Sequence, residues 1–530
     1  MARGSGTGGE RSIHGRHQPA PCAEGSARRM SAPGVLLVRC DASVAIGTGH
    51  AMRCLALAQA WQDIGGRALF AMAQSTAAVE DRLQREGIGV TRLQVESGSS
   101  DDAQATVGLA RAQKAAWVVV DGYDFGADYQ AALKQGGRKV LCVDDNGGAG
   151  PYCADLLLNQ NAHATEALYA QKAPGIQRLL GPRFCLLRRE FAAWRGWARE
   201  VPVRVKRILV TMGGSDAANF TLRVIDAIRR LEKGDLETTV VVGGSNPHVE
   251  RLESAVRDGG AAFSLVKDAS NMPELLSAAD LAVAGAGTTC WEMCLLGLPA
   301  LICVLAENQE GIASTLASRG IARSLGRSED VSVAKIQEEL LCLLDAPGER
   351  QQMSERGRAL VDGNGAGRTA ALLQDELQIR RAVPEDCRIL WDWAQDPEIC
   401  AASFSSGPIP WEAHVAWFRA KLSDPCAILY TATYATDGPV GQVRFQQNGP
   451  RVTLSIGLAK MFRRRGLGRT LLFLACERLF RESNLRAIDA YVKPDNETSI
   501  RLLSNAGFRR LGTESVRNQP AIHFVFDRSV

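Results

Sequence analysis

No apolar run in this 530-residue sequence is long enough to span a bilayer. The opening stretch, "MARGSGTGGERSIHGRHQPAPCAEGSARRMSAPG", lacks the apolar centre of a secretory signal. Residues 1–33 therefore read as a disordered extension, with Met30 a second candidate start. A strong field of one sign is missing too: the net charge is +4, which argues against a nucleic-acid or membrane-surface partner. There is no CxxC pair. Cys290 and Cys294 are spaced for one helix face, but no second pair or histidine cluster completes a zinc site, and no metal is expected. The fourteen cysteines, mostly single within apolar runs, read as buried reduced thiols of a cytoplasmic protein.

What is present is a repeated alternation. The length suits about three domains. From residue 34, "GVLLVRCD", "RALFAMA", "AAWVVVDGYD" and "KVLCVDDN" read as strands, and "MRCLALAQAWQDIG" as a helix ending at glycine. Continuous apolar strands alternating with helices predict a parallel sheet covered on both faces. After a crossing segment, "FAAWRGWAREVPVRVKR", the alternation restarts with "RILVTMGGSD", "ETTVVVGGSNPH", "ADLAVAGAG" and "ALICVLAENQ". Near residue 378 the composition shifts, with Trp391, Trp393, Trp411 and Trp417 close together. "AILYTATY", "GPVGQVRFQQ" and "RVTLSIGLA" then read as antiparallel strands. The expected fold is α/β, with two Rossmann-like domains (34–200 and 201–377) in the GT-B arrangement of nucleotide-sugar enzymes and an α+β domain (378–530). The cleft should lie at the carboxyl ends of the strands.

Several turns carry chemistry. In "VTMGGSDAANFT", Gly213, Gly214 and Ser215 follow a strand and precede a helix, where backbone N–H groups can face a phosphate. A plain strand-to-helix turn explains that motif equally well. "GAGTTCWEMCLLGLPAL" is more specific. Gly285 and Gly287 permit close approach, Thr288 and Thr289 can donate at a helix N-terminus, and Glu292 lies one turn in, within reach of ribose hydroxyls. The alternative is a capping motif with Glu292 as partner. Asn308 and Gln309, at the next strand end, suit sugar recognition.

The ordered series "RCDASVAIGTGHAMRCLALA", "VVVDGYDF", "VDDN", "LLNQN", "LLGPRFCLLRREF", "VTMGGSDAANFT", "VVGGSNPH" and "AGAGTTCWEMCLLGLPALICVLAENQ" resembles the UDP-2,4-diacetamido-2,4,6-trideoxy-β-L-altropyranose hydrolase family of pseudaminic acid biosynthesis. That family is related to the murein glycosyltransferase that uses UDP-GlcNAc. The resemblance runs from about residue 34 to 375. It implies that His50 activates the water that displaces UDP from the anomeric carbon, with Gly47 and Gly49 letting the loop approach the sugar. A helix N-terminus disfavours a protonated imidazole and keeps a neutral base available. Arg39 and Asp41 are expected to shape the same pocket, and Tyr123, Asp124 and Asn159 to contact the sugar. Asp144 and Asp145 read as loop-orienting residues rather than metal ligands.

"FRRRGLGRTLL" in the third segment is similar to the R-x-x-G-x-G loop of the GNAT acetyltransferase superfamily, carried by Arg463, Gly466 and Gly468. "YVKPDNETSIRLLSNAGF" supplies a second signature in Asn496, Ser499 and Gly507–Phe508. The resemblance implies acetyl-CoA as co-substrate. Arg464, Leu467 and Arg469 complete the expected pyrophosphate loop, and Ile456 and Leu458 lie on the strand expected to pair with the pantetheine arm. One departure stands out. Many GNAT enzymes carry a tyrosine one turn after the Ser499 position, as the acid for the leaving thiolate, and this sequence has Leu503. Tyr491 or water are candidate replacements. "RILWDWAQDPEICAASFSSGPIPWEAHVAWF" resembles the acetyltransferase acting on the 4-amine of UDP-4-amino-4,6-dideoxy-N-acetyl-β-L-altrosamine, with His414 and Trp417 matching its His-x-x-Trp feature.

The implied function is bifunctional: acetylation of a UDP-linked amino sugar, then hydrolytic release of UDP. Two other readings fit the same motifs. One is a GT-B glycosyltransferase joined to a sugar acetyltransferase; the other is a hydrolase with a non-catalytic, acetyl-CoA-sensing GNAT domain.

Overall fold

The computed structural model describes residues 33–527, apart from 149, 171, 173–175, 375–376, 406, 408, 435–437 and 464–466. The extension expected over residues 1–33 lies outside the described residues except for Pro33, and so do Arg464 and Gly466 of the expected phosphate loop.

Three sheets follow one another along the chain. The first contains β1 (Val35–Cys40), β2 (Arg67–Met72), β3 (Gly89–Arg92), β4 (Ala115–Asp121), β5 (Lys139–Val143), β6 (Leu156–Asn159) and β7 (Gln177–Leu180). Its order is β3-β2-β1-β4-β5-β6-β7, and every pairing is parallel. The second contains β8 (Arg207–Thr211), β9 (Glu237–Val242), β10 (Phe263–Lys267), β11 (Leu281–Gly285), β12 (Ala300–Val304) and β13 (Arg323–Arg327), in the order β10-β9-β8-β11-β12-β13, again all parallel. Both orders reverse at the first strand, as in Rossmann-like sheets. β1, β11 and β12 are buried along their whole length. Helices on both faces demand this, so these strands are apolar runs rather than alternating ones.

The third sheet is mixed: β14 (Leu377–Arg381), β15 (Ala427–Tyr434), β16 (Gly438–Asn448), β17 (Arg451–Leu458), β18 (Ala487–Val492), β19 (Arg509–Val516) and β20 (Gln519–Asp527). Its order is β14-β15-β16-β17-β18-β20-β19, with β17 and β18 the parallel pair. The fold is thus two Rossmann-like units followed by an α+β unit of GNAT type.

The chain after the second sheet returns to the first. The helix Gly365–Leu373 buries Ala366, Ala370 and Leu373 in the core built on β1 and the helix Gly49–Asp63. Phe473, from the helix Leu467–Glu482 of the third unit, enters that same core. Among the described residues no helix is long and apolar enough to cross a membrane.

Candidate functional site

The carboxyl ends of the strands in the first two sheets open on one cleft of about 420 Å³. On the first unit's side, β1 ends in a loop that turns at Gly47, whose φ of 81° favours glycine. The helix Gly49–Asp63 starts directly after it, and His50 lies in its first turn. The second unit meets this loop closely. A Cβ placed on Gly214 would lie 2.0 Å from Thr48 Oγ1, and one on Gly49 4.0 Å from Thr288 Oγ1. Ser245 Oγ donates to Thr76 Oγ1 at 3.0 Å on the other wall.

His50 Nδ1 is 2.6 Å from Oδ1 of Asp121, the last residue of β4. Arg53, one turn along the helix, grips Asp121 through both carboxylate oxygens at 2.7 and 2.6 Å. It also reaches Asp145 at 2.5 Å. Arg53 Nη2 lies 3.2 Å from Nδ1 as well. The shorter contact to a carboxylate takes the ring proton, because a guanidinium carries only N–H donors and has no atom to accept it. With the proton on Nδ1, the lone pair sits on Nε2, and no described residue bonds that atom. Burial works against the charge of Asp121, but Arg53 and then His50 outweigh it and hold its carboxyl well below the usual range. The result is a carboxylate fixed in its charged form behind an imidazole whose free nitrogen serves the cleft.

Tyr123 stands beside His50, ring edge to face at 5.3 Å. Its hydroxyl donates to Asp145 at 3.0 Å and accepts from Asn308 Nδ2 of the second unit at 2.8 Å. Asn161 donates to Asp145 Oδ1 at 3.0 Å, while its own Oδ1 is buried at the cleft with no partner among the described residues.

The second unit lines the cleft with Gly213, Gly214, Ser215, Gly287, Thr288, Thr289, Glu292, Asn308 and Gln309. Gly213 has a φ of 81°. Asp216 caps the following helix by accepting from the N–H groups of Phe220 and Thr221 at 2.8 and 2.9 Å, which leaves the preceding glycines free to face a ligand. Thr288 makes no side-chain cap on the helix Thr289–Leu295. The capping alternative for Glu292 therefore fails. Glu292 is buried and takes Arg188 Nη2 at 2.8 Å; burial raises its carboxyl's pKa and Arg188 opposes the rise. Gln309 spends its Oε1 on Leu305 N–H at 2.9 Å.

Other expected residues lie elsewhere. Arg39 is wholly buried beneath the loop, donating to Asp102 at 2.9 and 2.8 Å and to Asp41 at 2.8 Å. Asp41 in turn accepts from the N–H groups of Ala73 and Gln74 at 2.8 and 2.9 Å. The pair braces the floor of the first unit and does not line the cleft, because a cation with no exposure needs its carboxylates more than a ligand does. Asn159 is also fully buried, donating to Asp145 O and Tyr169 Oη at 2.7 Å each; its neighbour Asn161 is the one that reaches the cleft. Asp124 is exposed and outside it. Asp144 accepts from Gly147 N–H at 2.6 Å and Tyr169 Oη at 2.5 Å, a loop-orienting role. Asp121, Arg53, Asn161 and Arg188 are the site residues that sequence reasoning passed over, and Asp145, read there as loop-orienting, instead holds Arg53 and Tyr123.

In the third unit β17 and β18 pair only as far as Leu454↔Ala490, although β17 runs on to Leu458. Ile456 and Leu458 therefore lie where the two strands part. Leu467 is buried at the start of its helix, and a Cβ on Gly468 would touch Leu458 and Leu502 at 3.6 Å. Arg463 is not free for a phosphate: it donates to Leu458 O at 3.0 Å and pairs with Asp396 at 3.0 Å and Glu398 at 2.9 Å. Arg469 turns away toward Asn364 Oδ1 at 3.3 Å, where burial and then Arg195 and Arg368 pull its pKa down to about 10. Asn496 caps the helix Glu497–Asn505 by accepting from Ser499 N–H at 3.0 Å. Leu503 is buried. His414 is buried too, its ring stacked on Phe418 at 6.0 Å, and burial pushes its pKa down. Trp417 lies under the Arg444 guanidinium at 5.2 Å.

Residues 207–363 match the glycosyltransferase family 28 C-terminal domain, and residues 376–509 match the acetyltransferase (GNAT) domain. The uncharacterized protein MJ1062 of Methanocaldococcus jannaschii is 20% identical over 490 residues, 89% of this chain and 96% of that protein. The UDP-2,4-diacetamido-2,4,6-trideoxy-beta-L-altropyranose hydrolase of Campylobacter jejuni is 25% identical over 287 residues, 54% of this chain and 97% of that one. Among solved structures, MurG of Acinetobacter baumannii aligns with a TM-score of 0.46 at 18% identity, over 64% of this chain and 99% of that one. The chain thus joins a nucleotide-sugar portion of glycosyltransferase-like or hydrolase-like kind to a GNAT acetyltransferase domain.

Proposed function

We propose that this chain performs two consecutive steps on a UDP-linked amino sugar of the pseudaminic acid series. The 378–530 domain transfers acetyl from acetyl-CoA to the 4-amine, and the 34–200 and 201–377 domains then hydrolyse the bond between the 2,4-diacetamido-2,4,6-trideoxy sugar and UDP. The observation that carries the hydrolytic step is the His50–Asp121 contact of 2.6 Å at the edge of a cleft with glycine turns on its far wall. Asp121 fixes the tautomer, Nε2 takes a proton from water, and the hydroxide attacks the anomeric carbon. Gly213, Gly214, Gly287 and Thr288 offer N–H and hydroxyl donors to the departing diphosphate, and Glu292, held by Arg188, lines the wall where the ribose would lie. Asn161 Oδ1 supplies an acceptor for an acetamido N–H. Asn308, held by Tyr123, brings the second unit to the sugar.

In the third unit the parting of β17 and β18 leaves the Ile456 main chain open to a pantetheine arm, beside Leu458, whose carbonyl Arg463 holds, and Gly468 lets the helix start come close to the pyrophosphate. Acetylation comes first, because a site that hydrogen-bonds two acetamides disfavours a free ammonium there. The test is UDP release from the diacetamido sugar. His50→Ala lowers it by about 10²–10⁴-fold while acetyl transfer persists. Undiminished UDP release would refute the assignment of the base.

A further inference from the structure

Strand register singles out one arginine of the third sheet. Arg444 on β16 pairs with Ser455 on β17 and with Leu429 on β15, so the three share one face. Ser455 directly follows Leu454, the last β17 residue to pair with β18. Arg444 therefore lies one strand away from the point where β17 and β18 part. Gly441 is on the other face, where a Cβ would meet Leu471 of the helix Leu467–Glu482 at 3.1 Å. The helix that follows the expected pyrophosphate loop thus covers the face opposite Arg444. On the Arg444 face the helix Trp411–Ser423 packs Phe418 into one core with Leu429, and its Trp417 lies against the Arg444 guanidinium at 5.2 Å.

The arginines nearby are spoken for. Arg451 holds Asp489 at 2.6 Å, and Arg463 holds Asp396 and Glu398 at 3.0 and 2.9 Å. Arg444 differs. It is half-buried, and among the described residues no carboxylate or carbonyl takes its N–H groups. The charge that bears on it is a second cation, Arg517, exposed in the turn between β19 and β20. Burial, and then Arg517, push the Arg444 pKa down. A guanidinium drawn partly out of water needs acceptors for its N–H groups, and a like charge beside it raises that need. Two cations side by side with no carboxylate between them suit an anion, and the flat fork of an arginine matches the oxygens of a phosphate. Trp417 meets the face of that fork, whereas the N–H groups lie along its edge.

We propose that Arg444, with Arg517 beside it, binds the diphosphate of the acetyl acceptor, so that the domain takes its amine as a nucleotide-linked sugar and discriminates against the same amine without the nucleotide. This inference rests on the acetyl-transfer reading above. The phosphates of acetyl-CoA are the other source of the same chemistry. Their expected place is the start of the helix Leu467–Glu482, across the sheet from Arg444. An acceptor gripped at Arg444 therefore reaches the parting of β17 and β18 from the face opposite that helix.

The test follows initial rates of CoA release from acetyl-CoA with UDP-4-amino-4,6-dideoxy-N-acetyl-β-L-altrosamine as acceptor. Arg444→Met keeps an unbranched stem over Trp417 and removes the charge. KM for the UDP-sugar rises by about 10-fold or more, while kcat and KM for acetyl-CoA stay unchanged. Arg517→Ala raises the same KM by less, because an exposed charge is screened. UDP alone inhibits the wild-type protein in competition with the amino sugar and not with acetyl-CoA, and Arg444→Met loses that inhibition. The amino sugar freed of its nucleotide is a poor acceptor for the wild-type protein, and Arg444→Met acetylates it no worse. A wild-type KM for the UDP-sugar in Arg444→Met overturns the proposal while the acetyl-transfer reading stands. So does a raised KM for acetyl-CoA alone, which would assign Arg444 to the CoA phosphates, and so does a lower kcat and melting temperature with inhibition by UDP intact, which would make Arg444 structural. Absence of CoA release in the wild-type protein overturns both.

Discussion

A single carboxylate decides what His50 can do. Asp121 accepts the Nδ1 proton and so leaves Nε2 as the basic atom. In Asp121→Asn an amide N–H can face Nδ1 instead and drive the proton to Nε2. UDP release should then fall by about 10²–10⁴-fold with the cleft otherwise intact, as a calorimetric titration with UDP would confirm. The same residue gives a pH signature. An unfolded aspartate titrates near about 3.9. Asp121 lies lower in the folded chain, so its contribution to stability is complete above about pH 4 and is lost as the pH falls toward the folded value. Asp121→Asn should flatten that acid limb, measured as melting temperature against pH; an unchanged slope would place the acid sensitivity elsewhere. The histidine was legible in the sequence because a glycine-flanked turn announces it. Asp121 and Arg53 were not. Each sits inside an ordinary apolar run, and only the parallel pairing of β1 with β4 brings them to one point.

Strands and turns were read unevenly, for a physical reason. β1, β4, β5, β8, β9, β11 and β12 are apolar stretches, central or next to central, and they stand out together with β2, one strand in from the edge. β3 (GVTR), β10 (FSLVK) and β13 (RSLGR) are outer strands, short and half exposed, so their sequences carry no apolar run to find. The glycine turns were legible as phosphate-binding candidates, but their second duty was not. Gly214 has no room for a side chain, since a Cβ there would also come within 2.9 Å of Thr48 Cβ. That contact joins loops more than 160 residues apart, which no local pattern encodes. Gly214→Val should force the two loops apart and weaken UDP binding by at least about tenfold, the equivalent of 1.4 kcal/mol. Acetyl transfer, whose elements lie outside this contact, should remain. Normal UDP affinity in the variant would show that the loops have slack.

At the scale of the whole molecule the first and third units share one core. The restart of the α/β alternation and the shift near residue 378 mark three units along the chain, yet the helix Gly365–Leu373 binds the first to the third. Trp117 Nε1 donates to Leu373 O at 2.8 Å on one side. On the other, Arg368 bonds Arg183 O at 2.8 Å, and Arg183 pairs with Glu477 at 2.7 Å. Phe473 stands edge to face on Phe184 at 6.4 Å, inside the core of the first unit, although its helix begins beside the expected acetyl-CoA loop. Truncating a buried phenylalanine costs about 3–5 kcal/mol through lost burial and the cavity left behind. Phe473→Ala should therefore destabilise the first unit as well as the third. Scanning calorimetry should show one transition that moves down as a whole, with heat inactivation of UDP release and of acetyl transfer shifting together. Two transitions, of which only the one tied to acetyl transfer moves, would mean that the units fold independently and merely touch at this helix.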